Sequence, residues 1–142
     1  MKTLTSRDGF WDTDWVRPGE TTRFFYGPSD KDGNPKPREH ANIITWGYIM
    51  AGYCFQASGL MVAVLGGEDP KMLETASFTW RHGADEKDLL PTVVAGGLRF
   101  RVKGPLTELE SYGLEIKAPE DLPRQLAVTV LLEGELTGPR SG

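Results

Sequence analysis

The sequence has few of the residues on which small folds and common active sites depend. It contains a single cysteine and only two histidines among 142 residues. One cysteine excludes a disulfide framework, and Cys54 lies in the apolar stretch GYCFQ, which favours a buried and inert thiol. A chain of this length can bury roughly 70% of its unfolded surface without disulfides or metals. The sequence therefore predicts one domain that is stabilised by its own hydrophobic core.

The motifs of several catalytic classes are also missing. There is no Gly-x-Ser-x-Gly elbow and no glycine-rich phosphate loop followed by Lys-Ser/Thr. His40 and His82 lack the His-x-His spacing of a cupin-like metal site. The net charge of -4 argues against nucleic-acid binding as the main function. We predict no catalytic residue, no cofactor and no bound metal, and keep a cupin-type metalloenzyme that uses both histidines as an alternative.

The stretch from Asp30 to Ala41, DKDGNPKPREHA, begins like a calcium-binding EF-hand loop. Its first, third and fifth positions carry Asp30, Asp32 and Asn34, which fit the ligand pattern. Its sixth position is Pro35, where the loop needs a glycine, and its twelfth is Ala41, where the loop needs a glutamate. Because the turn and the closing carboxylate are both missing, the segment is predicted to be a metal-free surface loop.

No charged residue occurs from Ala41 to Gly67, a span long enough for a membrane helix. Several glycines, Gln56 and Ser58 disfavour insertion of this span as one helix, and QASG is typical of a turn. Strands that are covered on both faces have continuous apolar sequences of this kind. We therefore predict two buried strands, Ile43 to Phe55 and Leu60 to Leu65, and no membrane span.

Glycines and prolines, 17 and 10 in number, are spread along the whole chain, as is typical of many short strands joined by turns. Alternation of apolar and polar residues marks several of these strands, including the one that ends the domain, Leu126 to Leu136. Counting about eight strands, we predict an all-β fold, a single-domain antiparallel β-sandwich.

The segment Leu98 to Lys103, LRFRVK, has the clearest alternation in the chain. It predicts buried positions at Leu98, Phe100 and Val102 and an outward basic stripe at Arg99, Arg101 and Lys103. Such a stripe resembles a groove for single-stranded nucleic acid, but many carboxylates follow it in the sequence. The pattern favours a solvated face that pairs with carboxylates across the sheet.

Residues 1 to 20 differ from the rest of the chain because Phe10, Trp11 and Trp15 lie among aspartates before the turn Arg17-Pro18-Gly19. We predict an N-terminal arm over residues 1–20 and a sandwich domain over residues 21–142. Exposed aromatic side chains are enriched at protein interfaces, so these three residues are predicted to dock on a neighbouring copy. A carbohydrate-binding module that uses Trp11 and Trp15 is the alternative.

The C-terminal part, GLRFRVKGPLTELESYGLEIKAPEDLPRQLAVTVLLEGEL, resembles small bacteriophage virion proteins, and FFYGP near the start of the body is similar as well. The resemblance covers Gly97 to Leu136, and more loosely Phe24 to Leu136. It implies a jelly-roll-like sandwich and a capsid-shell or capsid-decoration subunit without catalytic activity. It further implies a location in the virion and partners that are copies of itself and other capsid proteins. Because MKTLTSRDGFWDTDW lacks the apolar core of a signal peptide, we expect synthesis in the host cytoplasm, and the net charge of -4 predicts no direct contact with nucleic acid.

Overall fold

Alternating buried and exposed residues organise the chain into strands. The computed structural model describes residues 5–6, 9–27 and 46–138. In chain order the strands are β1 (Thr5–Ser6), β2 (Phe10–Val16), β3 (Thr21–Phe24), β4 (Cys54–Val64), β5 (Ser77–His82), β6 (Asp85–Leu89), β7 (Thr92–Val94), β8 (Gly97–Phe100), β9 (Gly104–Leu106), β10 (Tyr112–Lys117) and β11 (Leu126–Thr137). A short 3-10 helix, Pro70–Leu73, joins β4 to β5, and the Asp69 side chain caps it by accepting a hydrogen bond from the Lys71 amide.

These strands form two antiparallel sheets, which confirms the predicted all-β sandwich. The larger sheet has seven strands in the order β1-β11-β4-β8-β7, with β2 also on β11 and β9 also on β4. The smaller sheet has four strands in the order β3-β10-β5-β6. The main pairs are nested along the chain: β2 pairs with β11, β3 with β10, β4 with β8, and β5 with β6.

The core lies between the two sheets. The ring centres of Phe78 on β5 and Phe100 on β8 are 4.6 Å apart, so these side chains link the smaller sheet to the larger one. Leu98, Phe100 and Val102 are buried, whereas the three basic residues between and after them are exposed. The predicted register of this segment is therefore confirmed.

The predicted N-terminal arm is wrong over Phe10–Val16. These residues form β2, which pairs with β11 from Val16 opposite Leu126 to Phe10 opposite Leu132. Asp12 and Val16 have no exposed surface. The sandwich therefore includes β2, and its boundary does not lie at residue 21. The turn after Arg17 is as predicted, with the Glu20 amide donating to the Arg17 carbonyl at 3.1 Å.

The uncharged stretch also differs from its prediction. Gln56 to Gly59, which we expected to form a turn, lies inside β4, and a register shift between Glu133 and Gly134 of β11 accommodates it. Residues 46–53 form turns and an isolated bridge instead of a strand, and Cys54 is only partly buried. Within the described residues, no helix has the length and apolar character needed to span a membrane. The segment Asp30 to Ala41 and the start of the predicted strand at Ile43 lie outside the described residues.

Candidate interaction face

The outer face of the smaller sheet is charged. Glu115 on β10 lies between Arg81, whose Nε is 2.9 Å from Glu115 Oε1, and Arg23, whose Nε is 3.8 Å from the same oxygen. Arg81 also contacts Glu86 on β6 at 3.3 Å, and the Tyr26 ring lies 5.5 Å from the Arg23 guanidinium. Exposed ion pairs of this kind contribute little stability, but they keep a face soluble. This face is suited to contact with solvent.

The outer face of the larger sheet is different because the side chains around its centre are mostly apolar. Cross-strand register places Trp11 of β2, Leu131 of β11 and Met61 of β4 in one row. On the same face, Ala63 lies in the next row, opposite Thr129, and Ala127 lies in the row after that, opposite Trp15. We define the apolar face as Trp11, Trp15, Met61, Ala63, Ala127 and Leu131. All six are partly or largely exposed, and Trp15 retains 44% of its accessible surface.

The alternation of each strand fixes which side chains reach this face. On β11 the residues Leu126, Val128, Val130 and Leu132 are at most 1% exposed and fill the core, so the residues between them point outward. In the middle of the face, Thr13 and Thr129 share a hydrogen bond of 2.8 Å between their hydroxyl groups. The polar atoms at the centre thus satisfy one another, and the side chains around them are aromatic and aliphatic.

Two of the three predicted interface residues, Trp11 and Trp15, lie on the apolar face. Phe10 does not, because successive side chains of a strand point to opposite sides and Phe10 points inward. The centre of its ring lies 4.9 Å from the ring centre of Phe55 and 6.1 Å from the ring centre of Tyr112. Phe10 therefore packs against the core of its own chain, and its assignment to an assembly interface is corrected.

Asp12 is a buried charged residue that the sequence did not reveal. It is fully buried, and its Oδ2 accepts a hydrogen bond of 2.9 Å from the backbone amide of Phe25. Phe25 has a φ of 75°, a left-handed conformation that is unfavourable for a bulky residue. Burial, and to a smaller extent the charge of Asp12, raises the pKa of Tyr112. We infer that Asp12 holds the chain where it leaves β3 and has a structural role.

His82, a ligand in the alternative cupin reading, is bound to a carboxylate at the end of β5. Its Nε2 lies 2.9 Å from Glu110 Oε2, and Glu110 Oε1 accepts hydrogen bonds from the amide and the hydroxyl of Thr107, both at 2.6 Å. His40 lies outside the described residues. Across residues 9–27 and 46–138, no group of three or more His, Cys, Asp and Glu side chains is placed to hold a metal ion.

Thr107→Val removes the hydroxyl hydrogen bond to Glu110, keeps the amide one, and is expected to raise the pKa of Glu110. The two Thr107 hydrogen bonds, followed by His82, hold this pKa below its usual value because they favour the charged carboxylate. The contribution of Glu110 to stability is therefore present above the unfolded pKa and is lost as the pH falls through the folded pKa. Carboxyl-carbon NMR titration measures the change. Thr129→Val, which removes a hydroxyl bound to Thr13, should leave the Glu110 titration unaltered, and an unaltered titration in Thr107→Val would contradict the assignment.

Comparisons with protein-family models, curated proteins and solved structures found no match. The site must therefore be interpreted from its own geometry, and the most distinctive feature of that geometry is the difference between the two outer faces.

Proposed function

We propose that the sandwich is a jelly roll and that the chain is a structural subunit of a bacteriophage particle. The nested pairs, from β2 with β11 inward to β5 with β6, follow the wrapping expected for two Greek keys distributed over two sheets. Viral capsid domains, lectins and cupins all use this architecture, so the fold by itself does not select a function. The choice depends on the surface.

The observation that carries the proposal is the apolar face. Large apolar patches on a soluble protein mark interaction sites, and tryptophans are enriched among the residues that dominate binding energy. A tryptophan that docks against a neighbour can remove on the order of 150 to 250 Å² from water. The charged outer face of the smaller sheet, with Arg81 and Glu115, would remain in solvent. A subunit with one charged face for solvent and one apolar face for a neighbour is suited to form a capsid shell or to bind on the outside of one.

In this proposal the partners are copies of the same chain and other capsid proteins, and the place of action is the virion, after synthesis in the host cytoplasm. The resemblance of Gly97 to Leu136 to small phage virion proteins supports the same class. The contact uses the apolar face together with sheet edges, and Trp11 and Trp15 contribute to it from β2 of the sandwich instead of from a separate arm. Catalysis has no part in it.

We expect light scattering to give a mass above that of the monomer that increases with protein concentration. Trp11→Thr combined with Trp15→Thr should shift the protein to the monomer, because truncation of one dominant interface residue costs at least about 2 kcal/mol, or roughly thirtyfold in affinity. Threonine is used because it suits an exposed strand position. The single variant Trp15→Thr provides a milder change if the double variant folds poorly.

Lys117→Ala is the matched control because it changes an exposed residue on the outer face of the smaller sheet. It should retain the mass of the unaltered protein. Circular dichroism of all variants must show the same strand signal. A monomeric unaltered protein, or a well-folded double variant with full self-association, would contradict the proposal.

One observation favours a second candidate, a carbohydrate-binding module. Trp11 and Trp15 lie on the same side of β2, four residues apart, and so form a row of two indole rings on a partly exposed sheet. Aromatic rings on a flat surface can stack on sugar rings. Glycan binding by the unaltered chain that is abolished in Trp15→Thr, without any change in oligomeric state, would support this candidate over the structural one.

A further inference from the structure

The basic stripe is not used by the proposed assembly contact. Arg99, Arg101 and Lys103 line one side of an open depression next to the β7 edge of the larger sheet. The hydroxyl-bearing residues Ser58 and Thr92 and the apolar Leu90 also line it, and its volume is about 350 Å³. Sites for small molecules begin at about this size, roughly 300 Å³.

The charge of the depression is positive although the whole chain carries -4. Arg99 is neutralised by Glu133, with 2.8 Å between Arg99 Nη1 and Glu133 Oε1. The pair crosses β4 at Gly59, where a Cβ atom would lie 3.3 Å from Glu133 Oε1 and 3.5 Å from Arg99 Nη1. Glycine at this position therefore leaves room for the pair. Among the described residues, Arg101 and Lys103 form no ion pair, and none of the lining residues is acidic.

We propose that this depression binds the phosphate or sulfate group of a small organic ester. Such a group carries several acceptor oxygens, which match the planar fork of Arg101, the ammonium group of Lys103 and the hydroxyls of Ser58 and Thr92. Leu90 is 89% exposed at the same depression and offers an apolar contact to the organic part of the ligand. The site uses none of the six residues of the apolar face, but it adjoins that face, because Arg99 lies opposite Met61 in the cross-strand register.

The test is an NMR titration of the full chain with inorganic phosphate and then with phenyl phosphate. Saturable shifts are expected at the backbone amides of Ser58, Thr92 and Arg101. Phenyl phosphate should bind more tightly than inorganic phosphate, and Leu90→Ser should remove that difference. Arg101→Gln with Lys103→Gln should weaken both ligands by about tenfold or more, because each substitution removes a charged donor of a hydrogen bond to the phosphate.

Arg124→Gln is the control for overall charge, since Arg124 lies outside the depression and pairs with Glu68 at 2.8 Å. It should bind both ligands as the unaltered protein does. Shifts that do not saturate, or equal weakening by Arg124→Gln, would overturn the site. Binding of a single-stranded oligonucleotide without binding of phenyl phosphate would overturn it in favour of a nucleic-acid surface. The proposal would also be overturned if the unaltered protein does not bind phosphate and the variant with Arg101→Gln and Lys103→Gln loses self-association. In that case the two basic side chains would pair with carboxylates of a neighbouring subunit.

Discussion

A chain that begins at Pro18 is expected to be unfolded at room temperature. This truncation removes β2 and exposes the side of β11 that β2 covers along seven paired positions. It also removes the packed side chains of Phe10 and Val16, each worth about 1.5 to 3 kcal/mol in burial. The Phe25 amide loses its hydrogen bond to Asp12, at a further cost of about 1 to 3 kcal/mol. These losses are comparable to the whole stability of a typical domain, about 5 to 15 kcal/mol.

Circular dichroism and thermal melting measure the result. A chain that begins at Gly9 is the control, because it loses only β1 and keeps β2. We expect the control to melt cooperatively at a somewhat lower temperature than the full chain. If the chain that begins at Pro18 keeps the strand signal and melts within a few degrees of the full chain, β2 is dispensable and the segment is an arm after all.

Phe100→Ala is expected to lower the free energy of unfolding by about 3 to 5 kcal/mol. Phe100 is 3% exposed and its ring packs on Phe78 of the opposite sheet, so truncation opens a cavity where the two sheets meet. Arg101→Ala changes the next residue, which is exposed, and should alter stability by no more than about 0.5 kcal/mol.

Urea denaturation of both variants gives the comparison, and Phe100→Leu should have an intermediate effect because it fills part of the cavity. Similar small effects for Phe100→Ala and Arg101→Ala would mean that the register of β8 is wrong by one residue.

Alternation of apolar and polar residues predicts the strands that have one face in the core and the other in solvent. The segment with Leu98 and Phe100 is an example, because its pattern reports burial directly. β6 was not predicted, since four of its five residues, Asp85 to Asp88, are charged and exposed. Within the part of the chain that the structure describes, it is an edge strand that pairs with β5 alone, and charged residues protect such edges from aggregation. The composition of β6 is therefore typical of a loop, although the segment forms a strand in the sheet.

The N-terminal segment was misjudged for a different reason. The sequence FWDTDWV does not alternate between apolar and polar residues, because its inward positions include Asp12, and a buried aspartate is not expected in a core strand. Its burial depends on the Phe25 amide, a tertiary contact that no local pattern contains. The sequence predicts Trp11 and Trp15 as interface residues because exposed aromatics are unusual, and the structure places both on the apolar face. Met61 and Leu131 could be added only from the cross-strand register.

Hydroxyl-radical footprinting of the protein in its dilute and its assembled forms tests the central claim, that the apolar face is the contact between subunits. Trp15 and Met61 report on this face, and Tyr26, on the outer face of the smaller sheet, is the internal control. We predict that assembly strongly reduces oxidation of Trp15 and Met61 and leaves oxidation of Tyr26 unchanged. Protection of Tyr26 with continued oxidation of Trp15 and Met61 would contradict the account and place the contact on the charged face.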